Sequence, residues 1–401
     1  MSVTANASLI KDTSLAPEGE DRIDWARAHM PIMRSLITDM DQRKPFAGLK
    51  IGICLHVEAK TAVWVEALTA GGAAIFLTGS PGSTQDHTAA ALANRPGVYV
   101  YATSDESFDN HLNHCRTVLD AGPDLIADNG GDLHALVYAE DRYKHLQQSL
   151  LGATEETTTG ATRLRAEIGC KDFPTLVIND TQAKRIVENR FGVGSSVVDA
   201  IMRATNVMLH GKNILVVGYG YCGSGVAQRF RGMGAHVSVA EHMPLTRLEA
   251  HLEGFKTVEL AQGVRTADII VTVTGHDDIL IAEHFDQMQS GTIIANAGHF
   301  ATEIDSAALR EKAVSHREIK TGITEFTMPD QRKLFLMADG NLVNLAAGDG
   351  NPIEVMDLGL ALQTLSLAKI AVRNHGLGNG PQTVPADIEN FVAEKALEHW
   401  L

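Results

Sequence analysis

Asn213-Ile214-Leu215-Val216-Val217-Gly218-Tyr219-Gly220-Tyr221-Cys222-Gly223 runs from a short apolar stretch straight into glycines spaced Gly-x-Gly-x-x-Gly. A strand that enters such a loop and leaves it as a helix has a mechanical use for each glycine. The first permits the tight turn, the second lets backbone approach a pyrophosphate, and the third lets helix and strand lie close. The helix that begins there offers unpaired N–H groups and a positive dipole end to phosphate oxygens. Glu241, 18 residues past Gly223, ends the next apolar run, Val237-Ser238-Val239-Ala240. A carboxylate there accepts from both ribose hydroxyls and repels a 2′-phosphate. The stretch therefore predicts a Rossmann-type site that prefers NAD over NADP.

Working outward, the 401 residues are long for one core and predict two domains. Upstream of the glycine loop, strand-like runs at Leu49–Leu55, Ala73–Thr78, Gly97–Ala102, Leu125–Ala127 and Thr175–Asn179 alternate with helix-like ones such as Thr61–Leu68. This pattern is α/β, with right-handed crossovers between parallel strands. Downstream, Asp268–Thr274 and Thr292–Asn296 continue the cofactor sheet. Leu358–Val372 reads as a helix, followed by a Gly/Pro-rich break from Gly376 to Pro385 and a last short helix. The predicted fold class is two Rossmann-like, doubly wound parallel-sheet domains with a short C-terminal helical segment. Polar residues just past strand ends, His56, Asn129 and Asp180, share the edge where open α/β sheets bind ligands.

The formal net charge of −15 argues against nucleic-acid or anionic membrane partners and leaves small molecules. No apolar run approaches the ~20 residues of a membrane span, so a cytoplasmic protein is expected. Cys54, Cys115, Cys170 and Cys222 are far apart in sequence, without C-x-x-C or Cys/His metal spacing. They are expected to be reduced and buried, with no metal bound.

Further strings accompany the glycine loop. In chain order they are Cys54-Leu55-His56, Ser83-Thr84-Gln85-Asp86-His87, Gly130-Gly131-Asp132, Glu155-Glu156-Thr157-Thr158-Thr159-Gly160, Asn179-Asp180 with Lys184 and Asn189, Asn296-Ala297-Gly298-His299-Phe300, and Leu342-Val343-Asn344-Leu345. Together they resemble the motifs of the S-adenosyl-L-homocysteine hydrolase family across nearly the whole chain. That resemblance implies a substrate domain over 1–182 completed by about 352–380, an NAD domain over 190–350, and a terminal segment at 381–401. It implies an NAD cofactor used without net redox. The ribose 3′-hydroxyl is oxidised, the 4′ hydrogen becomes acidic beside the ketone, the 5′ substituent is eliminated, water adds, and the ketone is reduced again. A 4′ C–H beside an alcohol is too weak an acid for any side chain, whereas one beside a ketone is within reach of a positioned base.

Residue by residue, the resemblance has Lys184 take the 3′-hydroxyl proton and Glu156 hold the 2′ and 3′ hydroxyls. His56 and His299 handle protons near the 5′ position. Thr157, Thr158 and Thr159 bind the cofactor from the substrate side, and Asn344 meets the nicotinamide amide. The remaining cofactor contacts fall on Asn189, Gly218, Gly220, Tyr221, Cys222, Gly223, Glu241, Thr274, Gly275, Asn296, Ala297 and Gly298. Without the resemblance, Lys184 reads equally as a solvated surface lysine, His56 as a structural histidine, and Glu155-Glu156 as an acidic helix start.

Departures from the family pattern cluster on the substrate side. Glu58 stands for a threonine, and Lys60 for the glutamate that reads the adenine amino group. Lysine only donates, so base recognition must change. Asn129 stands for an aspartate near the 4′ and 5′ positions, and an amide is no general base. Glu188 replaces an aspartate that supports 3′ oxidation, Val193 a cysteine near the nicotinamide, and Asn351 a histidine over the substrate. The Gly79-Ser80-Pro81-Gly82 loop also differs. If the chain after Leu55 stays extended, Glu58 lies on the face of His56 and replaces the missing carboxylate. The family's C-terminal tail, with its lysine and tyrosine for a neighbouring subunit's cofactor, has no counterpart, although a homodimer or homotetramer is still expected. The contrast between kept redox residues and changed substrate residues predicts elimination from another nucleoside. Its concrete form is a dehydratase, of the kind found in the biosynthesis of antibiotics such as angustmycin. Hydrolysis of S-adenosylhomocysteine and a catalytically silent NAD-binding regulator are the alternatives.

Overall fold

The computed structural model describes residues 7–80, 82–299, 301–372 and 376–401, so Pro81 and Phe300 lie outside the described residues. The chain divides into two compact units, one of Met1–Lys184 with Ile353–Leu401 and one of Arg185–Pro352.

The first unit is built on strands β1 (Lys50–Cys54), β2 (Ala74–Thr78), β3 (Val98–Tyr101), β4 (Leu125–Asp128), β5 (Gly152–Glu155) and β6 (Pro174–Val177), with a late strand from Gly380–Thr383. All seven are parallel, and the late strand pairs with β6 at one edge. Ile51, Ile53, Ile75, Leu77 and Val100 are buried, as expected of parallel strands covered on both faces. The helix Ala59–Ala70 returns the chain from β1 to β2. β1 lies between β2 and β4, where the strand order reverses. The carboxyl ends of β1 and β4 therefore flank the topological switch point.

The apolar helix Ile353–Ala371 is buried along nearly its whole length. Its Asp357 accepts hydrogen bonds from the Ile32 and Met33 amides at 2.9 and 2.7 Å. Those amides open the helix Pro31–Arg43, whose own N-cap, Met30, offers no side-chain bond. A carboxylate from far along the sequence thus satisfies two orphan donors.

The second unit carries β7 (Asn213–Val217), β8 (His236–Ala240), β9 (Lys256–Thr257), β10 (Ile269–Thr272), β11 (Ile293–Asn296), β12 (Ser315–Lys320), β13 (Ile323–Thr327) and β14 (Lys333–Met337). Numbering in chain order makes Gly380–Thr383 β15. Residues of β7 alternate between two cores: Ile214 and Val216 join Val226 and Phe230, while Leu215 and Val217 join Ile270 and Leu336. The sheet order is β12-β13-β14-β11-β10-β7-β8-β9, so a second switch point lies between β7 and β10.

Three features differ from the sequence expectation. The second sheet is mixed, because β12, β13 and β14 pair antiparallel. Only two residues join β12 to β13, too few for a parallel crossover. The Gly/Pro-rich break contains a strand, β15, at the edge of the first sheet, and the helix Ala386–Trp400 follows it. Finally, Cys54, Cys115 and Cys170 are buried but Cys222 is only partly so, and Cys54 and Cys115 converge on His111 despite their sequence separation. No helix among the described residues is long and apolar enough to cross a membrane.

Candidate active site

In the first unit, the carboxyl ends of β1, β2, β4 and β5 carry His56, Ser80, Asn129 and Glu156. Glu156 is buried, and both of its carboxylate oxygens are held. Lys184 Nζ donates to Oε1 at 3.2 Å and Asn129 Nδ2 to Oε2 at 3.0 Å. Burial pushes the Glu156 carboxyl up, but the Lys184 ammonium, His56 and the Asn129 amide outweigh it and hold it below the ordinary glutamate value. Glu156 is therefore a fixed anion, suited to accept from vicinal hydroxyls. Lys184 is buried with it; both belong to an enclosed ion pair, and the reading of a solvated surface lysine is excluded.

Glu155, next in the chain, behaves in the opposite way. Burial and the nearby Asp128 carboxylate push it well above the usual value. Its Oε1 takes the Gly130 and Thr157 amides at 3.0 and 2.8 Å and the Thr157 hydroxyl at 2.8 Å. The Glu155 carboxyl group thus fastens the Gly130 turn to the start of the helix Thr158–Arg163. Glu155 ends a strand, so the pair is not an acidic helix start. Thr157 caps the helix through Gly160 N at 2.9 Å, Thr158 Oγ1 donates to Asn179 Oδ1 at 3.0 Å, and Thr159 is partly exposed.

Glu58 is extended, with φ −135° and ψ 170°. Its carboxylate is joined to Lys60 Nζ at 2.6 Å, and both side chains are about 95% buried. This places a cationic donor and an anionic acceptor side by side inside the unit, on the first turn of Ala59–Ala70. Three further buried polar atoms lack any hydrogen-bond partner: Ser80 Oγ, Thr84 Oγ1 and Asn129 Oδ1. Leaving such an atom unsatisfied costs about 1–3 kcal/mol, and a polar ligand at the switch point would satisfy it.

The second unit gathers the cofactor residues. Gly218 has φ 100°, and a Cβ on it would meet Val273 O at 2.7 Å; a Cβ on Gly223 would meet Gly218 O at 2.2 Å, whereas Gly220 faces open space. The helix Tyr221–Gly232 starts without a side-chain cap, leaving its N–H groups for an anion. Glu241 follows β8 and accepts the Tyr219 and Met243 amides at 2.9 and 2.8 Å. Those bonds fix the carboxylate beside the glycine loop. Asn344 Nδ2 donates to Ser196 Oγ at 2.9 Å, while its buried Oδ1 has no partner, an acceptor that fits a carboxamide N–H. These features fit NAD.

Ser196 also links Asn344 to Asn351, whose Oδ1 it meets at 3.0 Å, and Asn351 Nδ2 reaches Glu188 Oε1 at 3.3 Å. Asn189 is partly buried beside Glu188 in the π-helical turn Lys184–Gly192. Cys222 is partly buried, and Tyr221 exposed, at the start of the glycine-loop helix. Asn296 uses its side chain inside the protein. Its Oδ1 takes Gly298 N at 2.7 Å and its Nδ2 donates to Gly340 O at 3.0 Å, which sets the backbone of Ala297 and Gly298. His299 follows, partly buried. Sequence reasoning missed Glu303 and Ser196. Glu303 is buried and collects the Thr274 amide and hydroxyl and the Gly275 amide at 2.6–3.1 Å, pinning the loop after β10. No motif marks Glu303, because only folding brings it beneath that loop.

Comparisons with known proteins agree with this geometry. The family model described as S-adenosyl-L-homocysteine hydrolase matches residues 7–142, and the one described as S-adenosyl-L-homocysteine hydrolase, NAD binding domain, matches residues 189–350. An S-inosyl-L-homocysteine hydrolase of Methanopyrus kandleri is 44% identical over 393 residues, covering 97% of this chain and 92% of that protein. An adenosylhomocysteinase of Aquifex aeolicus is 44% identical over 391 residues, covering 97% and 93%. An S-inosyl-L-homocysteine hydrolase of Methanococcus maripaludis is 44% identical over 390 residues, covering 96% and 93%.

Proposed function

Since the chain belongs to the S-adenosyl-L-homocysteine hydrolase family, we propose that it hydrolyses the thioether of an S-nucleosyl-L-homocysteine whose base is a 6-keto purine, that is, S-inosyl-L-homocysteine. The observation that carries the choice of base is Lys60, buried and paired with Glu58 at 2.6 Å. In the family that position holds the glutamate that accepts from the adenine amino group. A lysine can only donate, and the 6-keto oxygen of hypoxanthine accepts. With Lys60 at the 6-keto oxygen, Glu58 accepts from N1–H, a donor–acceptor order that matches hypoxanthine. Relatives of each kind are equally similar to this chain, at 44% identity. Lys60 supports the inosyl substrate.

When bound, NAD supplies a reversible hydride acceptor for the ribose C3′. Glu156 holds the 2′ and 3′ hydroxyls as a fixed anion, and Lys184, 3.2 Å from it, relays the 3′-hydroxyl proton. With a ketone at C3′ the 4′ hydrogen comes within reach of a base; Asn129 cannot be that base and orients Glu156 instead, so His56 takes the 4′ proton and passes it to the departing thiolate. His56 and His299 protonate the departing thiolate and deprotonate the water that replaces it. Glu188, held by Asn351, supports the oxidation step. Ser80 and Asn351 complete the substrate contacts.

Of the substitutions that suggested a dehydratase, Lys60 and Glu58 are accounted for by a changed base, and relatives 41–44% identical to the chain carry hydrolase names. The test is thiol release by the NAD-loaded enzyme from the two thioethers in parallel. A kcat/KM preference for the inosyl substrate of roughly 10–200-fold is expected, and Lys60→Glu should reverse its sign. Equal rates, or a preference for the adenosyl substrate, overturn the assignment of the base. No thiol from either substrate overturns hydrolysis itself and returns the dehydratase and the silent regulator to consideration.

A further inference from the structure

Away from Glu156 and Lys184, a second group of reactive side chains lies within the first unit. Cys54 ends β1, while His111 and Cys115 stand one turn apart on the helix Phe108–Asp120. All three are buried, and their ligand atoms lie within 4.8 Å of one another. His111 Nε2 is 3.6 Å from Cys115 Sγ and 3.0 Å from Asp132 Oδ2. The other oxygen of Asp132 is taken by Arg163 Nη1 at 2.8 Å. Around a tetrahedral zinc ion, with Zn–S of about 2.3 Å and Zn–N of about 2.0 Å, neighbouring sulfur and nitrogen ligands stand about 3.5 Å apart. The His111–Cys115 edge already has that length.

A second observation points to a cation. Glu106 Oε1 is buried with no hydrogen-bond partner and lies 3.8 Å from His111 Nδ1, while Oε2 is occupied by His114 Nδ1 at 2.8 Å. A histidine that binds metal through Nε2 carries its proton on Nδ1, where a carboxylate fixes the tautomer and raises its basicity. Glu106 is placed for that role and has no other for Oε1.

We infer that Cys54 Sγ, Cys115 Sγ and His111 Nε2 form a structural site for a thiophilic divalent cation of the zinc class, with Asp132 Oδ2 beside it, 3.0 Å from His111. Binding releases the thiol protons of Cys54 and Cys115 to solvent and leaves His111 with its ring proton on Nδ1, with no redox step. The site would tie the helix Phe108–Asp120 to a segment that carries a candidate active-site residue and stand close to a second. Cys54 precedes His56 by two positions, Asp132 follows Asn129 by three, and the helix Phe108–Asp120 lies against β1. All three donors are buried side chains, so the ion would stabilise and not catalyse.

The test uses tag-free, full-length protein grown with zinc and analysed by inductively coupled plasma mass spectrometry. About one zinc per chain is expected in the wild type, and roughly a tenth of that or less in Cys115→Ser and His111→Asn. Should those variants not fold, wild-type protein refolded with cobalt(II) alone decides: intense visible ligand-field bands of a tetrahedral thiolate site support the inference. Wild type without stoichiometric zinc and without such bands overturns it, whether Cys54 and Cys115 titrate as free thiols or prove to be a disulfide. Zinc retained in full by Cys115→Ser overturns it too. None of these readouts depends on the identity of the nucleoside.

Discussion

Glu155 and Glu156 are adjacent and equally buried, yet their carboxyl groups are driven in opposite directions. The difference is one of neighbours: Glu155 faces Asp128 and backbone amides, whereas Glu156 faces the Lys184 ammonium. Removing that ammonium has two effects, since it takes away the proton relay and leaves Glu156 a buried anion with less compensation. Lys184→Met is therefore expected to lower kcat by about 10²–10⁴-fold, while NAD stays bound in stoichiometric amount. Its kcat should also acquire a dependence on a carboxyl group titrating at higher pH, as Glu156 loses the charge that holds it down. A pH profile of single-turnover thiol release, with NAD content measured in the same preparation, checks both. Unchanged kcat in Lys184→Met would refute the role given to it.

At the scale of elements, the glycine loop divides its work in a way that substitution can separate. A methyl on Gly223 would press on the backbone oxygen of Gly218, whereas one on Gly220 would meet nothing in the protein. Gly223→Ala is thus expected to destabilise the second unit by about 1–3 kcal/mol and to lose cofactor as a result. Gly220→Ala should keep the cofactor-free melting temperature of the parent and still bind NAD more weakly, because its methyl occupies the space the pyrophosphate approaches. Calorimetry of the cofactor-free proteins followed by NAD titration distinguishes the two. β7 and its loop were legible in the sequence because strand, glycines, helix and acid are all local. β5, Gly-Ala-Thr-Glu, was not, being short and half polar. β15 was hidden by Pro381, which an edge strand tolerates and a central strand would not. β12 is exposed along its length and carries no apolar alternation to read. Glu303, Ser196 and the pairing of Cys54 with Cys115 share one reason for going unseen: each depends on residues that only the tertiary fold brings together.

For the molecule as a whole, Asp357 joins the stretch after the second unit to a helix near the start of the chain. Burial raises its pKa to about 6, although the Ile32 and Met33 amides favour the carboxylate. A carboxyl whose pKa is higher folded than unfolded stabilises the fold fully below its unfolded value of 3.8 and loses that contribution as pH rises through about 6. About 3 kcal/mol of stability is expected to fade across that window. Asp357→Asn, fixed in the uncharged state, should remove this dependence, which denaturant titrations at several pH values would detect. Because the first unit is made of Met1–Lys184 and Ile353–Leu401 while the second is contiguous, the order of synthesis matters. On the ribosome, Arg185–Pro352 emerges complete and ready to collapse while the first sheet still lacks β15 and the helix Ile353–Ala371. The half-built sheet waits with an open edge and an uncovered apolar face through the whole translation of its insert, and that interval is when a nascent chain most needs a chaperone.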